Sequence, residues 1–544
     1  MTMKWMFLLP VVVLGQTQTG SIKGSVTATD TNAPLSHVAV MVRPLLSAGR
    51  AGRIVRGDTD QKGEFIVSGL APGSYMLSVQ RAGYQGVTYT TGTATARQTR
   101  FTVAAGEAKS IQLWLRPLGV VAGTVSGPDG APLDHAKVML SHYRTVDGTR
   151  VLVPEREVWT DQTGSFRVTG VAPGQFLLSA YSRNEGRLDN VAKIYPPAYY
   201  PGVPTPTGAQ SIQVGVGQTA GELKLQLGAA QGFAISGQVK DASGAPVAGA
   251  TVLARRQSED GTVSLLSSES LTVNAGASGE FLLTRLVPGK YRVMVTAGQG
   301  GQRVTGSSAV DLGREDVKNV VVAAGPGAVI TGRITFEGNL EGEKGPVSPH
   351  LARVSLRPEA GSVGHGVILG AIADDGTFRI ENVPEGLARL GISLGSGAYY
   401  VKSVSLNGQD VAEQPLKVGK GVRLDGAEVV ISLAVAQVSG RVMVDASKQP
   451  GTPAPQVILF PEDSQTWRTA PRFIKVGRVN EAGQFTIRGI APGNYRMVAV
   501  RNLAEGSEGD PGFLAAVQGQ ARQVVVTGRR VNGGILQAVD APRR

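Results

Sequence analysis

Residues 60–75 read Asp60-Gln-Lys-Gly63-Glu-Phe65-Ile-Val-Ser-Gly-Leu-Ala-Pro72-Gly73-Ser-Tyr75, and this stretch decides the fold because it recurs. An Asp that can cap a turn, a Gly that tolerates positive φ and an apolar residue two places on are what a tight β-hairpin requires. The same turn returns before Phe166, Phe281, Phe378 and Phe485, always with Gly two residues ahead of the Phe. Asp161 and Asn480 repeat the Asp60 position. Seven residues after the Phe come Pro72, Pro173, Pro288 and Pro492, each followed by Gly and then, two residues later, by Tyr75, Phe176, Tyr291 or Tyr495. The fourth copy departs, with Glu385 at the proline position and Ala388 at the aromatic one.

Upstream of each hairpin stands a short strand opening Gly-x-Val or Gly-x-Ile: Gly24, Gly123, Gly237, Gly332 and Gly440. Downstream, alternating runs such as Ile111-Gln-Leu-Trp-Leu115 and Leu223-Lys-Leu-Gln-Leu227 read as strands with one buried face. A repeat of about a hundred residues, with turn signals every ten or so and no helical periodicity, predicts an all-β chain of five tandem antiparallel β-sandwich modules. The boundaries expected are 16–116, 117–229, 230–325, 326–434 (degenerate, read as a spacer) and 435–544, joined by short linkers into a semi-rigid rod.

Composition agrees. Gly (73) and Pro (30) are abundant, aromatics are 5%, and 42% hydrophobic residues argue against disorder. Lys4 followed by the apolar run Trp5–Leu14 and the small Gly15 reads as a signal peptide over 1–15, so export to the periplasm, envelope or medium is expected. No later stretch is apolar for long enough to span a bilayer as a helix. Cysteine is absent, which excludes disulfides, thiolate metal sites and cysteine nucleophiles. The formal charge of +12, with clusters at Arg50, Arg53 and Arg56, at Arg255-Arg256 and at Arg543-Arg544, suits anionic polymers; without a recognition helix or a basic stripe interleaved with aromatics, nucleic acid is not expected.

The combination of Gly-x-Val, Gly130-Ala-Pro-Leu133 or Gly244-Ala-Pro-Val247, the Gly-x-Phe hairpin and the Pro-Gly-x-aromatic turn resembles the carboxypeptidase regulatory-like domain. The resemblance covers nearly all of 20–540 and implies a transthyretin-like sandwich, grouped by some with carbohydrate-binding-like folds. Modules of that family accompany metallocarboxypeptidases, precede outer-membrane receptor barrels, or stand in tandem in bacterial envelope proteins. None of His37, His135, His142, His350 and His365 has Glu three residues on, and no barrel strand series follows, so the tandem envelope arrangement is the one implied.

No catalytic residue, metal or cofactor is expected. His37 and His135 share a turn position with Gly249, and Asp58, Asp60, Asp374 and Asp375 lie at hairpin turns, where Asp serves the backbone. Resemblance to collagen-adhesin-type modules would imply a Lys to Asn/Asp isopeptide bond assisted by an acid, which Lys23 or Lys240 with Glu64 or Glu280 could imitate, but Ser165, Thr377 and Gln484 hold the Glu position elsewhere and no Lys matches across the first strands.

Aromatic residues in polar columns are the candidates for binding. Trp159 shares its column with Asp58, Asn274, Ala371 and Arg478, so it faces solvent; Trp114 shares its own with Gln226 and Ser432. An exposed indole can stack on a sugar ring, and for Trp114, which precedes a linker, packing on the next module is the other reading. Tyr195, Tyr199 and Tyr200 sit in what reads as a proline-stiffened loop, which either binds glycan or protein or covers a sheet edge, and Trp467 lies in the polar stretch Pro461–Trp467. The expectation is a non-catalytic protein binding polysaccharide through its second module. Its rival is a structural rod contacting other envelope proteins, and an accessory chain of an extracellular enzyme or transport system is third.

Overall fold

The computed structural model describes residues 18–45, 53–88, 100–146, 149–182, 193–257, 263–264, 270–298, 303–339, 347–358, 367–394, 398–412, 414–443, 455–480, 482–501, 503 and 506–542. The expected signal peptide, Arg50, His365 and Arg543-Arg544 lie outside them. The chain divides into two compact units after Leu118.

The first module shows the plan. Its strands are β1 (Gly20–Ala28), β2 (Ala39–Pro44), β3 (Val55–Asp58), β4 (Glu64–Leu70), β5 (Gly73–Gln80), β6 (Tyr84–Gln85), β7 (Val87–Thr88), β8 (Arg100–Val103) and β9 (Ala108–Pro117). One sheet runs β4-β1-β9-β6 and the other β3-β2-β5-β7, with β8 also paired to β5. The expected two-sheet sandwich is there, but it is not wholly antiparallel: β1 lies antiparallel to β4 and parallel to β9. The same parallel pair of first and last strands recurs in the other modules.

This arrangement explains the two strictest positions of the repeat. The strand-opening glycine faces the hairpin phenylalanine in every module: Gly24 with Phe65, Gly123 with Phe166, Gly237 with Phe281, Gly332 with Phe378 and Gly440 with Phe485. Its other neighbour is a carbonyl of the parallel last strand. A Cβ on these glycines would lie 1.9, 2.0, 1.8, 2.1 and 2.5 Å from the carbonyl oxygens of Ile111, Leu223, Val320, Ala427 and Gly534. The hairpin glycine has φ between 70° and 82° in all copies, and Asp60, Asp161 and Asn480 accept the backbone N–H groups of the turn at 2.7–3.0 Å.

Each module has its own core, with the hairpin Phe buried in it: Ile22, Phe65 and Leu113; Val121, Phe166 and Leu225; Ile235, Phe281 and Val322; Ile330, Phe378 and Ile431; Val438, Phe485 and Leu536. The aromatic after Pro-Gly closes one end. Tyr75, Tyr291 and Tyr495 are buried, and their hydroxyls donate to the carbonyls of Ala71, Val287 and Ala491 at 2.6, 2.9 and 3.0 Å. Burial, with a smaller effect of Tyr400, pushes the Tyr495 phenol up to about 12. A raised phenol pKa favours the protonated folded form, so this contribution to stability is complete below the ordinary value of 10.0 and is lost as pH rises from there toward about 12. Alkaline unfolding of the fifth module should therefore begin in that window, and Tyr495→Phe should flatten it.

The fourth module is more than a spacer. It keeps a six-stranded and a four-stranded sheet and a full core, with Ala388 buried where the other modules place an aromatic. Its Glu385 reaches back to the third module and accepts a hydrogen bond from Ser307, which in turn lies 3.4 Å from Arg292 Nη1. Lys420 Nζ donates to Ala323 O at 2.7 Å across the same joint. Where the other modules have proline, the fourth has a residue that ties two modules together.

Other joints of the second unit are also close. Ala230-Gln231 pairs with Lys193-Ile194, and Val263-Ser264 with Val151-Leu152, so residues of the third module extend both edges of the second module's larger sheet. Strand Lys137–Val146 of the second module also meets the turn Ser507–Gly509 of the fifth. Neighbouring modules of this unit thus touch, as expected of a semi-rigid rod, and the contact between the second and fifth modules is one that such a rod would not make.

The fifth module departs most from the plan. Its last strand, Arg530–Asp540, pairs with both Ala436–Met443 and Gly493–Arg501 and merges the two sheets. Short helices at Thr466–Thr469 and Pro511–Val517 cover the outer face of strands Gln456–Pro461 and Gly493–Arg501.

Candidate functional site

The candidate surface is the outer face of the larger sheet of the second module. Strand Lys137–Val146 runs between Thr149–Trp159 and Gly174–Ser182. Residues paired across strands share a face, so the register places Trp159, Lys137 and Tyr181 in one row and Glu157, Met139 and Ser179 in the next. Tyr199 extends the second row, opposite Ser179.

Trp159 is 55% exposed, and its column partners Asp58, Asn274, Ala371 and Arg478 are exposed too. Lys137 Nζ sits 5.5 Å from the indole centroid and 2.7 Å from Glu157 Oε2. The ammonium therefore lies over one part of the indole while an acid holds it in place. An apolar ring plane flanked by a paired donor and acceptor can stack on the C–H face of a sugar and bond its hydroxyls.

The three tyrosines are not a loop patch. They belong to strand Lys193–Tyr199 and the turn after it. Tyr199 is buried with Met139, Leu152, Leu177 and Tyr181 in a second apolar cluster on the outer face. Tyr195 and Tyr200 pack half-buried against the module core. Of these, the structure brings Tyr199 to the same sheet face as Trp159, but below the surface.

Trp114 is half-buried on β9, opposite Thr27. Trp467 corrects the expectation of an accessible loop residue. It is 2% exposed, its Nε1 donates to Pro461 O at 2.8 Å, and its ring meets Phe460 edge-on.

The polar candidates are held by the backbone. His37, His135 and Gly249 have φ of 56°, 53° and 67°, which makes their column a left-handed turn. Thr163 Oγ1 donates to Asp161, and that bond, seconded by the Ser165 N–H, holds the Asp161 carboxyl below its ordinary range. Thr377 does the same for Asp375. Asp58 pairs with Arg56 at 2.9 Å and Asp374 with His350 at 2.7 Å. Among the described residues no three His, Asp or Glu gather into a metal-holding group, and no helix is long and apolar enough to cross a membrane.

Sequence reasoning missed a crevice where the second module meets the third. It is lined by Tyr181, Tyr195, Pro197, Arg256, Arg285 and Tyr291 among others, and its volume of about 20 Å³ suits a single water. A wider hollow of about 600 Å³ on the fourth module is flanked by Arg333 and Arg379, but these face Asp375 and Glu381 at 3.5 and 2.5 Å.

Residues 21–113 and 234–324 match the model of the carboxypeptidase regulatory-like domain. No curated protein matches the chain. Similar solved structures include the Bacillus anthracis TIE protein, 13% identical over 77% of this chain and 75% of that one, with a TM-score of 0.15. The minor pilin of Streptococcus agalactiae is 15% identical over 39% and 96%, with a TM-score of 0.21. The shaft pilin SpaA of Lactobacillus rhamnosus GG is 11% identical over 40% and 98%, with a TM-score of 0.22.

Proposed function

We propose that this chain, two of whose modules are carboxypeptidase regulatory-like domains, is a non-catalytic exported protein of the cell envelope or medium that binds polysaccharide through its second module. The observation that carries this reading is Trp159, a large indole left 55% exposed on a regular strand and backed by Lys137 and Glu157. An aromatic of that size adds apolar contact area wherever it is covered, and a sugar ring covers it without demanding a deep pocket. Export rests on the order of Lys4 and the apolar run Trp5–Leu14. The absence of catalysis is supported by the turn roles of the acids and histidines described above.

Pull-down on insoluble polysaccharides tests the reading: wild type should be retained, and Trp159→Ala should lose at least about tenfold in affinity. Failure of the wild type to bind any plant or cell-wall polysaccharide would sink it.

A second reading, a spacer that contacts other envelope proteins, is favoured by the tied joints around Glu385 and Lys420. It predicts that Trp159→Ala disturbs a protein contact and no glycan contact.

A further inference from the structure

The sheets that carry the first strand of the fourth and fifth modules can be compared position by position. In the fourth module the outer face balances its own charge. Arg423 Nε donates to both oxygens of Asp425 at 2.9 and 2.7 Å, and Arg379 pairs with Glu381. Arg333 faces Glu428 across the ladder and pairs with Asp375 at 3.5 Å. Aligned on Gly332 with Gly440 and on Phe378 with Phe485, the fifth module has Asn532 at the place of Asp425, Arg488 at that of Glu381 and Ile535 at that of Glu428. The arginines do have counterparts, Arg530 for Arg423 and Arg441 for Arg333.

The resulting face is basic at one end and apolar at the other. Arg488 and Arg530 flank Gln437 in one row, and both are exposed, as is Arg529. With strands about 4.8 Å apart, the two flanking positions are separated by about 10 Å. Ser439, Thr486 and Asn532 form the next row. Four residues beyond Gln437, about 13 Å along the strand, Arg441 shares a row with Ile535, and Met443 follows two residues on. Ile535 and Met443 are 63% and 60% exposed. Among the described residues no Asp or Glu stands in these rows.

A soluble polyanion would use the arginines and leave the two apolar side chains in water. A layer of anionic lipid uses both, since guanidinium groups match phosphate and apolar tips enter the hydrocarbon boundary beneath it. We infer that this face of the fifth module docks on a bilayer surface containing anionic phospholipid, with Arg488 and Arg530 at the phosphates and Ile535 and Met443 in the apolar layer below. The contact is peripheral and separate from the polysaccharide surface of the second module.

Sedimentation of the full-length protein with vesicles tests this. Wild type should sediment with equimolar phosphatidylglycerol and phosphatidylcholine and not with phosphatidylcholine alone. Arg488→Ser combined with Arg530→Thr should weaken the binding about 25-fold, at about fivefold for each basic residue near an anionic surface. Ile535→Gln leaves the charge unchanged and should cost about tenfold through lost apolar burial. All three positions are exposed, so the fold should survive, which circular dichroism checks. Arg167→Ser combined with Arg353→Ser removes the same charge from exposed positions of the second and fourth modules and should bind like wild type. Four results would each overturn the inference: no preference of the wild type for the anionic vesicles, wild-type binding by the Arg488 and Arg530 variant, an equal loss in the Arg167 and Arg353 variant, or wild-type binding by Ile535→Gln. The last would leave a face that takes a soluble polyanion by charge alone.

Discussion

Gly237→Val is expected to unfold the third module while its neighbours keep their structure. The new Cβ would be built 1.8 Å from the Val320 carbonyl oxygen and 2.7 Å from its carbon. Both are backbone atoms of a strand paired in parallel register with Phe233–Lys240, so neither can swing aside as a side-chain tip could. The clash exceeds ordinary overpacking, which costs about 1–3 kcal/mol, and it competes with a module stability of only about 5–15 kcal/mol. Calorimetry should show one transition lost or moved far down, and limited proteolysis should cut within residues 230–325 first. Gln238→Val, one position along and exposed, should change stability by no more than about 0.5 kcal/mol. If both variants melted like wild type, the pairing of glycine, phenylalanine and parallel strand would not be what the repeat preserves.

Trp467→Ala should cost the fifth module about 3–5 kcal/mol, the usual range for emptying a buried aromatic site. Its ring lies with Ile458, Phe460, Val498 and Val500 beneath Phe513, Leu514 and Val517 of the short helix. Truncation leaves a void and an unsatisfied Pro461 carbonyl. Chemical denaturation with the fifth module as the reporting transition measures the loss, and polysaccharide binding should be unaffected because this cluster belongs to another module.

The repeat made most of the fold legible, since five copies of one pattern show which columns accept polar residues and which accept only glycine or an aromatic. That reasoning placed Trp159 outside. It failed where the chain leaves the repeat. Trp467 follows Pro461-Glu-Asp-Ser-Gln-Thr, a stretch whose polarity reads as a loop, yet a single helical turn carries the indole back over the sheet. Tyr199 was obscured by Pro196-Pro197, which suggest a loop but sit where the ladder with Gly174–Ser182 slips register, a place where missing N–H groups are tolerated. The parallel first and last strands were invisible because period-two alternation looks the same in either direction. Glu385 read as decay of a motif, and only the neighbouring module shows it as a contact.

The measurement closest to the central claim is acrylamide quenching of tryptophan fluorescence during a polysaccharide titration. The indole of Trp467 is shielded throughout, whereas that of Trp159 is open to the quencher until a ligand covers it. The account predicts that a bound polysaccharide protects the accessible fraction in wild type and changes nothing in Trp159→Ala. Protection of the same size in Trp159→Ala, or binding without protection in wild type, would contradict it.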